Sequence, residues 1–93
     1  MNRISKVQKE ILLRLINGVF NGIQRVKSTH LNAAVNRKLG KTIHPNNFRT
    51  SCETLAERGL IVRTKEDFDW HINLTPEGFD KASEWLELVD SSL

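Results

Sequence analysis

The segment HPNNFRTSCETLAERGL, residues 44–60, predicts a short helix whose two ends are both marked. Pro45 suits the first helical position, because it has no backbone N–H to leave unpaired and its φ is already helical. His44 or Thr42 can cap the helix from outside. At the other end, Gly59 supplies the left-handed residue that commonly follows a helix. The segment therefore predicts one helix with a defined start and stop.

This helix, expected over residues 45–58, has an apolar stripe and a polar face. Phe48, Cys52 and Leu55 recur at i, i+4 and i+7, which is the spacing of one buried stripe. The other faces carry amide, guanidinium and hydroxyl groups that can hydrogen-bond base edges and phosphates, among them Asn46, Asn47, Arg49 and Thr50. An ordinary solvated helix surface explains these side chains about as well as a nucleic-acid-binding face does. The flanking segments are needed to choose between the two.

Composition indicates a small globular protein. The chain has 93 residues, near the lower end of what one core can stabilise, and we expect residues 1–93 to form a single domain. One cysteine excludes an internal disulfide and fits a reducing compartment. Residues 1–10 are polar, and the apolar segment after them is interrupted by Arg14 and Asn17, so we expect neither a signal peptide nor a membrane span. We therefore expect a cytoplasmic protein.

Charge is distributed unevenly along the chain. Residues 1–65 contain 13 Lys or Arg and 3 Glu, a net charge of +10, whereas residues 66–93 contain 1 Lys and 8 Asp or Glu, a net charge of −7. A basic body with an acidic end suggests that a polyanion binds on one side. An uneven soluble surface, or an acidic end that meets a basic patch of another subunit, would give the same distribution.

A first helix is expected over residues 5–17. Ser5, with Gln8 three residues later, fits a capping box. Gly18 is expected to end the helix. Between them runs a broad apolar face that suits a core-forming element, made of Val7, Ile11, Leu12, Leu15 and Ile16.

A second helix is expected over residues 29–39, with Ser28 or Thr29 as its cap. Ile23 and Val26 can anchor a short strand before it. Two short helices joined by a tight, glycine-containing turn form a helix-turn-helix candidate. Basic side chains cluster at that turn, namely Arg37, Lys38 and Lys41.

A β-hairpin and a final helix follow. Residues 60–65 form a β run, residues 66–69 the hairpin tip, and residues 70–75 alternate between apolar and polar side chains. The final helix is expected over residues 76–90, with Thr75 as its cap. It carries more apolar side chains than docking on its own domain requires. We expect the surplus to form a homodimer interface, through Phe79, Trp85, Leu86, Leu88 and Val89; alternatively, Trp85 completes the core of its own domain.

The expected order is helix, short strand, helix, helix, hairpin, helix, a mainly α chain with a β-hairpin (α+β). Residues 55–63, Leu-Ala-Glu-Arg-Gly-Leu-Ile-Val-Arg, and residues 74–78, Leu-Thr-Pro-Glu-Gly, resemble two motifs of winged helix-turn-helix regulators of the MarR and PadR type. Those proteins have a Leu-x-x-x-Gly-Leu-Ile end to the recognition helix and a Leu-Thr-Pro-Glu-Gly start to the helix after the wing. The resemblance covers about residues 5–90.

The resemblance implies a transcriptional regulator, here expected to be a repressor, that binds double-stranded DNA as a homodimer. It implies that the helix at residues 45–58 enters the major groove, where Asn pairs well with adenine and Arg with guanine. Base edges or nearby phosphates would then be contacted by Asn46, Asn47, Arg49 and Thr50. The phosphate backbone would be contacted by Arg37, Lys38, Lys41, Arg63 and Lys65.

The hairpin tip departs from this pattern. It contains Glu66, Asp67 and Asp69 around Phe68, and carboxylates next to phosphates are repelled. Because fold does not fix function, a second hypothesis is a winged-helix protein-interaction module that uses the acidic wing and the apolar last helix.

Catalytic chemistry finds little support in the sequence. His30, His44 and His71 are scattered, and no pair of residues has a metal-ligand spacing such as Cys-x-x-Cys. Cys52 falls in the predicted buried stripe, which favours a packed thiol over a redox sensor. Without a nucleophile-and-base pair or a phosphate loop, we expect no enzyme, no cofactor and no metal site.

Overall fold

Four helices and three strands alternate along the chain in the computed structural model, which describes residues 3–91 and the side chains of residues 3–86. The helices are α1 (Lys6–Phe20), α2 (Ser28–Leu39), α3 (Pro45–Glu57) and α4 (Pro76–Ser91). The strands are β1 (Val26–Lys27), β2 (Ile61–Glu66) and β3 (Asp69–Leu74), in the antiparallel sheet order β1-β3-β2. The predicted α+β class and element order are confirmed, with element ends shifted by at most three residues.

The core is built from one apolar stripe of each helix and one face of the sheet. Helix α1 lies at its centre and packs against α2, α3 and α4. The predicted stripe of α3 is confirmed, since Phe48, Cys52 and Leu55 are each at most 2% exposed. The rest of the core comprises Ile11, Leu12, Leu15, Ile16, Leu31, Val35, Ile43, Ile61, Ile72 and Ala82.

The first helix is longer than predicted, because Gly18 does not end it. The capping box is present, with the Ser5 hydroxyl accepting from the Gln8 N–H and the Gln8 side chain accepting from the Ser5 N–H. The helix then continues to Phe20, and the chain turns at Gly22, whose φ is +82°. The Gly18 carbonyl accepts the N–H of Ile23, and the Val19 carbonyl accepts that of Gly22, so a local turn at the left-handed Gly22, and not Gly18, ends the helix.

The predicted cap of α2 is also wrong. The helix begins at Ser28, and the capping position falls on Lys27, whose side chain makes no cap hydrogen bond. The reason is that Lys27 pairs with His71 of β3, so β1 runs directly into α2. Ile23 lies outside the strand and is 53% exposed.

The hairpin tip is shorter than predicted. Glu66 and Asp69 are the last paired residues of the ladder, which leaves Asp67 and Phe68 as a two-residue loop. Both loop residues have positive φ, +52° and +71°. Positive φ at both central residues is the geometry that matches the right-handed twist of the flanking strands.

The base of the hairpin is tied to the start of α4. The Thr75 hydroxyl accepts from the Gly78 N–H (2.9 Å), which confirms the predicted cap, and donates to the Gly59 carbonyl (2.7 Å). Gly78 packs so closely that a Cβ there would lie 2.0 Å from the Leu60 carbonyl oxygen and 2.8 Å from Cδ1 of Leu74. The glycine of the Leu-Thr-Pro-Glu-Gly segment is therefore required by the close approach of two backbones.

Replacing Gly78 by Ala should destabilise the fold by about 2–3 kcal/mol, because the added methyl group meets backbone that cannot move without opening the hairpin base. The exposed Asp80→Ala change on the same helix should stay within about 0.5 kcal/mol of the wild type. Urea unfolding followed by tryptophan fluorescence measures both. Equal stabilities of the two variants would contradict the close approach.

Candidate nucleic-acid interface

The exposed face of α3 carries polar side chains, most of which form no hydrogen bond within the described part of the chain. His44 caps the helix by accepting from the Asn46 N–H through Nδ1 (3.1 Å). The side chains of Asn46, Asn47 and Arg49 are exposed and make no hydrogen bond to any residue in the described part of the chain. The Thr50 hydroxyl is exposed but donates to the Asn46 carbonyl (3.0 Å), a local contact that occupies its proton.

A groove of about 390 Å³ separates this face from the hairpin. Asn46 and Arg49 of α3 line one side of it, and Arg63 and Trp70 of the hairpin line the other. Helix α2 completes the lining, through Ser28, Thr29, Asn32, Ala33 and Asn36. The structure thus brings together three residues that the sequence singled out and adds α2 residues and Trp70, which it did not.

Arg63 is held inside this arrangement. Its guanidinium lies 4.2 Å from the centre of the Trp70 ring, and its Nη1 lies 3.9 Å from the Glu53 carboxylate of α3. Only 14% of its side chain is exposed. Lys65, also within cation–π range of Trp70 at 5.8 Å, is exposed. Arg63 therefore joins the hairpin to α3, and Lys65 is the more accessible of the two cations predicted there.

The turn between α2 and α3 is fixed by one side chain. Asn36 accepts the N–H of Ile43 through Oδ1 (3.0 Å), and Gly40, after the last residue of α2, takes the left-handed conformation with a φ of +67°. Arg37 and Lys41 are exposed around this turn. Lys38 is also exposed but lines a cavity with Glu10 of α1, away from the groove residues.

Two of the three carboxylates at the hairpin tip are paired with cations. Arg25 forms an ion pair with Glu66, and Nζ of Lys27 lies 3.5 Å from the Asp69 carboxylate. The hydrogen bond and the charge of Arg25 hold the pKa of Glu66 below its usual range. Both cations come from β1 and the loop before it, so the tip is less acidic than its own sequence indicates.

Three of the five predicted dimer residues on α4 contribute to the core of their own domain. Phe79, Trp85 and Leu86 are partly buried and pack against it. Phe79 also makes an edge-to-face contact with Phe20, with ring centres 5.8 Å apart. Lys9 lies 5.3 Å from the centre of the Trp85 ring. The side chains of Leu88 and Val89 lie outside the described residues, so the homodimer interface stays a prediction.

Among the described residues, the titratable side chain with the largest shift in pKa is that of Cys52. Burial raises the pKa of the Cys52 thiol to about 12, against the opposing charge of Arg63. Among residues 3–91, no group of three or more His, Cys, Asp or Glu side chains could hold a metal ion. No helix in the same part of the chain is both long and apolar enough to cross a membrane.

The two helices and their turn, the hairpin beside the second helix and the short strand at its far edge define a winged helix-turn-helix fold, with the hairpin as its wing. Known structures share this fold. RosR from H. salinarum superposes with a TM-score of 0.82 over 98% of this chain and 78% of its own, at 21% identity. A winged-helix DNA-binding protein from STIV superposes with a TM-score of 0.70 over 94% of this chain and 91% of its own, at 16% identity.

A MarR transcriptional regulator from Methanosarcina mazei Go1 gives a TM-score of 0.58 over 97% of this chain and 59% of its own, at 22% identity. The chain is thus MarR-like in fold, as its two motifs predicted. No family model matches the chain, and no curated protein matches its sequence. At these identities the likeness is one of fold.

The Cys52 thiol should react very slowly in the folded protein. With its pKa at about 12, about one thiol in ten thousand is ionised at pH 8. Alkylation by iodoacetamide should therefore be at least roughly 100-fold slower than in the urea-unfolded chain, as followed by mass spectrometry. Comparable rates in the two states would show that Cys52 is accessible and would reopen a redox role.

Proposed function

We infer that the protein is a transcriptional regulator that binds specific sites in double-stranded DNA, as a homodimer, and represses by occupying them. One observation carries this inference. The side chains of Asn46, Asn47 and Arg49 are exposed and make no hydrogen bond among the described residues, on the second helix of a helix-turn-helix. Amide and guanidinium groups at these positions suit adenine and guanine edges in a major groove. If these side chains were buried or hydrogen-bonded within the protein, they could not contact base edges.

The cations around α3 support a phosphate-binding role. Lys41 and Arg37 are exposed at the turn before α3, and Lys65 is exposed on the wing beyond it. Phosphate contacts of this kind set the register of a protein on the duplex but carry no sequence information. Lys38 points to a different cavity, so we rank it below the other cations for this role.

The structural relatives support the same class of function. The STIV protein is described as a winged-helix DNA-binding protein, and the Methanosarcina protein as a MarR transcriptional regulator. Both descriptions fall within the class of protein that we propose for this chain.

The second hypothesis, a protein-interaction module with an acidic wing, loses support. Glu66 and Asp69 are already paired with Arg25 and Lys27. Of the three tip carboxylates, Asp67 alone is left without an ion-pair partner among the described residues. The wing is therefore a weaker acidic surface than its sequence suggested, and its charge is a smaller obstacle to DNA.

Changing Arg49 to Ala should relax specificity at one base position and cost about 1–3 kcal/mol on the preferred site. Changing Lys41 to Ala should weaken all sequences about equally and reduce the salt slope by about 1. Selected-site enrichment followed by fluorescence anisotropy at two salt concentrations measures both effects.

The matched control is Lys6→Ala, which removes an exposed cation that lines no part of the groove. It should change neither the selected sequence nor the salt slope by a comparable amount. An Arg49→Ala protein that selects the wild-type sequence would show that α3 is not the reading helix. Absence of any binding by the wild type at low salt would overturn the DNA hypothesis itself.

The homodimer should appear as two chains on each selected site. A dimer with one α3 per major groove predicts two half-sites about 10 base pairs apart, related by two-fold symmetry. Sedimentation of the protein–DNA complex gives the stoichiometry, and the enriched sequence gives the spacing. One chain bound to one asymmetric site would contradict the dimer.

A further inference from the structure

Phe68 has no structural role in its own domain. Its side chain is 95% exposed, more than that of any other large apolar residue in the described part of the chain. It lies at the outermost point of the wing, in the loop between β2 and β3. An exposed apolar side chain by itself needs no explanation, but the backbone at this position adds a second observation.

The backbone at Phe68 is in a conformation that favours glycine or asparagine. Its φ is +71°, and the preceding Asp67 has a φ of +52°. Aspartate is common in such two-residue loops, whereas a bulky residue in the left-handed region is an outlier. A phenylalanine at position 68 thus strains the backbone, and its exposed ring does not offset this strain by packing against the domain. Outliers of this kind persist at functional sites, where the side chain acts on something outside the fold.

The charges around the tip allow it to approach DNA. Glu66 and Asp69 are neutralised by Arg25 and Lys27, and Lys65 precedes the loop on the same strand. With Lys65 included, three cations face the three carboxylates of the tip, a local net charge of zero, since Arg63 is paired with Glu53. The phosphate repulsion that the sequence of the tip suggests is therefore largely removed.

The position of the wing relative to α3 is also fixed. The Arg63–Glu53 contact joins the two elements, and Arg63 is packed on Trp70. Strands of six residues extend roughly 20 Å, which exceeds the roughly 12 Å width of the major groove. With α3 in that groove, a wing of this length is long enough to span one phosphate backbone and meet the neighbouring minor groove.

We propose that Phe68 is a minor-groove wedge that inserts between two adjacent base pairs and thereby adds to the specificity of the protein. This inference rests on the proposed DNA-binding function. Apolar side chains inserted in this way partly unstack the step and kink the duplex. Pyrimidine–purine steps unstack most easily, so Phe68 selects a TA or CA step at a position where the protein makes no base-specific hydrogen bond.

The test compares Phe68→Gly, Phe68→Leu and Asp67→Gly with the wild type, by selected-site enrichment and by the fluorescence of 2-aminopurine placed at successive steps. Wild type, F68L and D67G should all enrich the flexible step and brighten the probe there. F68G should keep the half-site read by α3 but lose the step preference and the fluorescence increase, with affinity for the preferred site lower by roughly tenfold.

Glycine accepts the φ of position 68 without strain, so F68G should melt at the wild-type temperature or above, and its loss cannot be ascribed to unfolding. If F68G enriches and unstacks the same step as the wild type, the wedge proposal is overturned. The exposed tip would then be assigned to contact with a protein partner. The wedge is also overturned if F68G binds all sequences more weakly to the same extent and the wild type raises 2-aminopurine fluorescence at no step. Failure of the wild type to enrich any sequence overturns the DNA-binding function itself, which is a distinguishable result.

Discussion

The closed base of the wing is the constraint on which the other functional features depend. Gly78 lies against the Leu60 carbonyl, and the Thr75 hydroxyl bridges Gly59 to the first turn of α4. The end of α3, both strands of the hairpin and the start of α4 are therefore fixed at one point. Because of this, the groove between α3 and the wing has a set width, and the wing tip has a set distance from the exposed face of α3.

Sequence reasoning succeeded where structure is decided within a few residues. The capping box at Ser5, the proline start of α3, the left-handed Gly59 and the Thr75 cap are local events, because each donor and acceptor lies within four residues. It failed at Gly18 and at the cap of α2. At Gly18 the helix continues to a local turn at Gly22, whereas the start of α2 depends on the pairing of β1 with β3, which joins segments more than forty residues apart.

The candidate site shows the same division. Helical periodicity placed Asn46, Asn47 and Arg49 on the exposed face of α3. Nothing in the sequence indicated that Arg25 would neutralise Glu66, because β1 is two residues long and carries almost no pattern of its own. The packing of Arg63 on Trp70 follows from a diagonal contact across two strands, which alternation suggests only once the register is known.

The pairing of Arg25 with Glu66 has an evolutionary consequence. These two positions are 41 residues apart, yet a change at either one alone leaves its partner's charge uncompensated at the wing. Loss of Arg25 would leave a bare carboxylate at the wing, whereas loss of Glu66 would leave a bare guanidinium there. Acceptable changes should therefore arise in pairs, with 25 and 66 covarying among homologues, while the unpaired Asp67 drifts independently.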